Sequence, residues 1–153
     1  MPKVSGEIRI NTPKEKVWGV LANIVTVQDW NPGVTKAYYT SDAKDGVGAS
    51  RHCDFPDGGY VKERVTEWKP GEAYTLNIYE GSTPFENADG RFTVKDERQR
   101  TTVSFTMEYE LKSDAQVDPR EVERQWREEA IPTILAGLKH YVETGKPMPM
   151  PAP

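Results

Sequence analysis

The chain has 153 residues, 36% of them hydrophobic, and a formal net charge of -4. That length suits one domain with an ordinary core. The acidic balance, with no block of Lys and Arg, argues against a nucleic-acid partner, which calls for a basic surface.

The apolar runs are too short to span a bilayer. The first ten residues, MPKVSGEIRI, hold no apolar signal-peptide core. The single cysteine, Cys53, cannot form an internal disulfide, which fits a reducing compartment. A cytoplasmic protein is expected.

Residues 3–10 alternate, with Val4, Ile8 and Ile10 on one face and Lys3, Ser5, Glu7 and Arg9 on the other. That period of two predicts a half-buried strand. Thr12-Pro13-Lys14-Glu15 then reads as a helix start: Thr12 as N-cap, Pro13 first in the helix, Glu15 completing a capping box. The helix is expected to bury Val17, Trp18 and Leu21, then Ile24 or Val25. A second short turn reaches Trp30, where Asn31-Pro32-Gly33 stops it.

A meander follows. Strands are predicted at 34–40, 47–55, 60–68, 73–80, 86–95 and 101–112. The strongest turns between them are Pro56-Asp57-Gly58-Gly59 and Lys69-Pro70-Gly71-Glu72. The last strand alternates most cleanly: Val103, Phe105, Met107, Tyr109 and Leu111 point in, and the Thr, Ser and Glu residues between them point out. In the fifth strand Tyr74, Leu76 and Ile78 read as the inner face, although Thr75, Asn77 and Tyr79 would make a more polar lining.

One long helix closes the chain, from Asp118 as cap and Pro119 to a stop at Gly145. Val122, Trp126, Ile131, Ile134, Leu135, Leu138, Tyr141 and Val142 form a stripe of helical period. Pro132 lies inside it, removes one backbone bond and clashes with the Glu128 carbonyl, so a kink is expected. The proline-rich tail 146–153 is expected to be disordered. The fold class is α+β: a seven-stranded antiparallel sheet wrapped around the long C-terminal helix, with two short helices after the first strand. A curved sheet with one helix across it need not close into a solid core, so a cavity is expected between them.

Two stretches carry a family resemblance. One runs from Ile10 through Asn11-Thr12-Pro13-Lys14-Glu15-Lys16-Val17-Trp18 to Asp29-Trp30-Asn31-Pro32. The other is Gly46-Val47-Gly48-Ala49-Ser50-Arg51, followed by Glu63-Arg64-Val65-Thr66-Glu67-Trp68-Lys69-Pro70-Gly71. Together they resemble the START-related superfamily (SRPBCC), which includes polyketide cyclase/dehydrase-like proteins. The resemblance spans roughly residues 3–145 as a single domain and implies the helix-grip fold over a hydrophobic cavity. It does not imply one function, since such folds serve as carriers, receptors, cyclases and co-chaperones.

The sharpest candidate site is Arg51 with Glu63. A regular hairpin places them opposite or diagonal on one face with Cys53, Phe55, Val61 and Val65. They then form either a polar anchor at the cavity wall or a structural cross-strand ion pair. Trp30 either gates the cavity mouth or packs as an ordinary plug. Trp126, Ile131 and Leu135 on the helix, with Phe92, Phe105, Met107 and Tyr109 on the sheet, are core residues that become ligand contacts if the cavity is real.

Glu63 and Tyr109 are the candidates for proton transfer if the protein is an enzyme. His52 and Cys53 are strand neighbours that point to opposite faces, and His140 has no second ligand at helical spacing. No metal and no cofactor is therefore expected.

Three functions fit: binding of a small hydrophobic or amphipathic molecule, a lipid included; a cyclase/dehydratase-type reaction on a polyketide-like or aromatic substrate in the same cavity; or a protein-interaction domain with a filled core.

Overall fold

Alternating sequence becomes one antiparallel sheet. A computed structural model describes residues 1–149. It contains β1 (Lys3–Ile10), α1 (Lys14–Ala22), a 3-10 turn (Ile24–Thr26), α2 (Val27–Trp30), β2 (Lys36–Tyr39), β3 (Ser50–Asp54), β4 (Tyr60–Lys69), β5 (Ala73–Gly81), β6 (Phe85–Glu97) and β7 (Arg100–Leu111). The final helix follows as α3 (Pro119–Gln125), a π turn (Trp126–Ala130) and α4 (Ile131–Thr144). All seven strands form one sheet in the order β1-β7-β6-β5-β4-β3-β2. The end of the tail expected to be disordered, 150–153, lies outside the described residues.

Three local expectations need correction. Thr12 does not cap α1, which starts at Lys14 with no side-chain cap. Its backbone is used elsewhere: the Thr12 carbonyl accepts a 2.7 Å bond from Thr101 Oγ1 on β7, and Thr12 is buried. A tertiary bond thus displaces a local one. The strand expected at 47–55 begins only at Ser50, because Gly46 and Gly48 take the left-handed conformation, with φ of 75° and 96°. The strand expected at 34–40 is also shorter, spanning Lys36–Tyr39.

The long helix behaves as its ends predict. Asp118 Oδ1 accepts from the Arg120 amide at 3.0 Å, and Gly145 closes the helix in the left-handed conformation with φ 74°. The irregularity expected at Pro132 takes the form of the π turn. The Ile131 amide reaches back to the Trp126 carbonyl, so the wider turn is completed just before the residue that has no N–H.

Packing places this helix. Ile131 and Leu135 lie over Gly6 of β1, where a Cβ would come within 2.8 Å of Ile131 Cγ2. Gly137 of α4 meets α2 still more closely: a Cβ there would stand 2.0 Å from the Trp30 carbonyl oxygen. Both sheet edges carry side-chain covers, which blunts them as templates for further strands. Gln28 Oε1 accepts from the edge amide of Ala37 at 2.9 Å, and Lys139 Nζ donates to the Arg9 carbonyl at 2.8 Å. Among the described residues no helix is long and apolar enough to cross a membrane.

Gly137→Ala is expected to lower stability by about 2–3 kcal/mol through backbone displacement. Gly19→Ala in α1, with nothing within 4 Å of the added Cβ, should leave stability equal or raise it by about 0.5–1 kcal/mol. Urea unfolding of the two variants measures both.

Candidate functional site

The β3–β4 hairpin is regular, so Arg51 lies directly opposite Glu63 and Cys53 opposite Val61. The irregularity falls one strand further on. Between β4 and β5 the register shifts after Lys62, so Lys62 faces Glu80 while Glu63 faces Ile78. This bulge leaves Tyr79 unpaired and turns Ile78 towards the same interior as Glu63.

Arg51 is 5% exposed and its charge is paired. Nε donates to Glu63 Oε1 at 3.0 Å, Nη2 forms an ion-pair contact with the same oxygen at 2.9 Å, and Nη1 donates to the Ile24 carbonyl. The Cys53 thiol stands 3.7 Å from the same Oε1. Burial, the largest single influence, acts to lower the Arg51 pKa, but Glu63 together with Cys53 and Tyr74 holds the guanidinium above its usual value. The thiol is pushed up to about 12, chiefly by burial and against the pull of Arg51.

The pair borders a cavity of about 120 Å³. Arg51, Cys53, Val61 and Glu63 form one wall, with Leu76 and Ile78 beside them. Phe85, Gly90, Phe92, Phe105 and Met107 form the sheet wall opposite, and Val27, Trp30, Asn31, Val34, Trp126 and Ile134 close it. A wider depression of about 470 Å³ shares Asn31, Val34, Phe55, Trp126 and Ile134 with the cavity and adds Gln125, Glu129, Ala130 and Thr133. It marks the mouth, which lies against the π turn.

The structure divides the sequence candidates. Arg51, Glu63, Trp30, Phe92, Phe105, Met107 and Trp126 line the cavity. Tyr109, Ile131 and Leu135 lie outside that lining. Ile131 and Leu135 cover Gly6, and Tyr109 is wholly buried with its ring 5.1 Å from Phe85. The Tyr109 hydroxyl has no hydrogen-bond partner among the described residues, and burial raises its pKa.

Trp30 is packed, with its Nε1 bonded to Thr26 Oγ1 at 3.1 Å and its ring edge-on to Phe92. On the fifth strand Leu76 and Ile78 face the cavity, whereas Tyr79 is exposed and Thr75 bonds Glu67.

Val27, Val34, Phe85 and Gly90 were not singled out by sequence. Only Gly90 carried a signal: a glycine inside a strand marks a close approach. Here a Cβ would come within 3.1 Å of the Phe105 ring. His52 lies on the outer face between the rings of Tyr38 and Tyr60, with Nε2 2.8 Å from Asp54 Oδ1. Among the described residues no group of His, Cys, Asp and Glu could hold a metal ion.

A family model described as "Polyketide cyclase / dehydrase and lipid transport" matches residues 1–143, and the chain belongs to that family. No curated protein matches the chain. Among solved structures, the fold is similar to the protein XoxI from Bacillus cereus (TM-score 0.80, 20% identity, covering 94% of this chain and 97% of that one). It is similar to a START superfamily protein from Mycobacterium smegmatis (TM-score 0.79, 15% identity, 94% and 99%). It is also similar to the Zhui aromatase/cyclase from a Streptomyces species (TM-score 0.75, 13% identity, 96% and 99%). At these identities the likeness is one of fold.

Arg51→Ala strands the Glu63 carboxylate and the Ile24 carbonyl, and is expected to cost about 3–5 kcal/mol in chemical denaturation. The double change Arg51→Met with Glu63→Leu should cost clearly less, because no buried charge is left unpaired.

Cys53 predicts an alkaline loss. The unfolded thiol gives up its proton near 9.0 and the folded one near 12. Its contribution is complete below the unfolded value and is lost as pH rises from there towards the folded one. Between about pH 8 and pH 10 wild type should lose about 1 kcal/mol more than Cys53→Ala.

Proposed function

We propose that this protein binds a small hydrophobic or amphipathic molecule in the cavity between its final helix and its sheet. The observation that carries the reading is the lining: apolar side chains from five strands and two helical segments around one charge-compensated polar pair. Such a wall supplies affinity through buried apolar area and orientation through few polar atoms. The family description, which joins polyketide cyclase/dehydrase with lipid transport, agrees with a hydrophobic guest.

A second reading is an enzyme of the cyclase/dehydratase type working in the same space. It is favoured by the likeness to an aromatase/cyclase and by a carboxylate on the cavity wall. Glu63 would then move a proton beside a substrate carbonyl. Tyr109, the other sequence candidate for that role, does not border the cavity.

Native mass spectrometry of the protein purified without added ligand tests the proposal. A co-purifying small molecule is expected, and Ile78→Trp, which fills the cavity, should abolish it while circular dichroism stays unchanged. Binding that survives Ile78→Trp in full sinks the cavity reading. Incubation of protein with the recovered molecule separates the two functions: unchanged ligand favours a carrier and a new product an enzyme. A protein that takes up no small molecule leaves the interaction-domain reading.

A further inference from the structure

The polar pair lies at the deep end of the cavity. Along β3 the inward residues run from Arg51 through Cys53 to Phe55, and only Phe55 belongs to the mouth as well. Four residue steps lead from Arg51 to Phe55, just past the end of β3, about 13 Å at about 3.3 Å per residue. The antiparallel register places Glu63 at the level of Arg51, and Val61 nearer the mouth. A molecule entering beneath the π turn therefore meets aromatic and aliphatic side chains first and the charged pair last.

That end looks like an anion anchor and is built otherwise. Nε–H bonds Glu63, one Nη1–H bonds the Ile24 carbonyl, and Nη2 lies in ion-pair contact with Glu63. The positive charge is already matched by the carboxylate beside it. A ligand carboxylate brought there would leave water, gain no net attraction, and stand next to Glu63.

Some guanidinium N–H groups stay open, but their charge is already compensated; open capacity that favours a neutral group is on the acceptor side. Glu63 Oε1 takes the arginine bond, the ion-pair contact and the thiol contact, whereas Oε2 accepts no hydrogen bond from the described residues, and the carboxylate borders the cavity. A carboxylate oxygen held in place and open to an apolar space favours a neutral donor.

Size narrows the class further. The cavity measures about 120 Å³, against about 300–1,000 Å³ for sites that take drug-sized ligands. An apolar cavity of about 150 Å³ holds one benzene.

We infer that the site selects neutral single-ring molecules, or aliphatic ones of equal bulk, that enter with an O–H or N–H donor leading and bond it to Glu63 Oε2. Carboxylates and fused-ring molecules are excluded. This rests on the cavity being the ligand site, as proposed above.

The test is a nuclear magnetic resonance titration of the nitrogen-labelled wild-type protein with phenol, benzene, benzoate and anthracenol. The Arg51 Nε–H and the indole N–H of Trp30 and Trp126 serve as cavity reporters. Phenol should shift all three and bind about tenfold more tightly than benzene, the worth of one bond to a charged acceptor. Benzoate should bind more weakly than benzene, and anthracenol should leave the reporters unmoved.

Phenol and benzene binding equally would overturn the donor assignment, and benzoate binding as tightly as phenol would overturn the exclusion of anions. Anthracenol moving all three reporters would overturn the size limit. Each of those results leaves the cavity as a ligand site. Silence of the reporters to all four probes would overturn the inference together with the cavity reading, and is distinguishable from the others.

Discussion

The buried contact of Arg51 with Glu63 and the Ile24 carbonyl joins three separate parts of the chain. It crosses the β3–β4 hairpin and reaches the 3-10 turn that leads into α2. A guanidinium at 5% exposure is tolerable only when its charge is met, and the Glu63 carboxylate meets it while the Ile24 carbonyl takes one of its donors. Because α2 carries Val27 and Trp30 into the cavity, the same bonds that compensate Arg51 also help to position the wall facing it.

The helix supplies the other constraint. Its second half is fixed by two glycines that admit backbone and side chains at distances no Cβ allows: Gly6 under Ile131, and Gly137 against the Trp30 carbonyl. Its first half is charged and exposed, with Arg124 among Glu121, Glu128 and Glu129, and Arg127 beside Glu123. Such exposed pairs contribute little individually. Between the halves, the π turn ahead of Pro132 lies where the cavity opens.

Family membership explains the architecture and leaves the chemistry to the lining. Structures at 13–20% identity share this fold along almost their whole length, and one fold hosts many functions. The lining in this chain is local: a compensated ion pair, one thiol whose pKa burial raises, and a glycine in β6 that gives its space to the Phe105 ring.

Strand parity, turn positions and helix ends were legible in the sequence, because alternation, Pro-Gly punctuation and capping are set within a few residues. The Arg51–Glu63 pairing was legible only on the condition of a regular hairpin, since a one-residue bulge would have turned both to the other face; the structure supplies the direct register. Tertiary structure decided which residues of an inward face border open space. Tyr109 and Phe105 share a face of β7, yet only Phe105 reaches the cavity. Ile131 and Ile134 share the helix stripe, yet only Ile134 does. The difference comes from where the helix crosses the sheet, and that crossing depends on contacts of Gly6 and Gly137 with residues far away in sequence. Thr12 teaches the same lesson in reverse: its local capping pattern yields to a bond from Thr101, a residue that only the fold brings near.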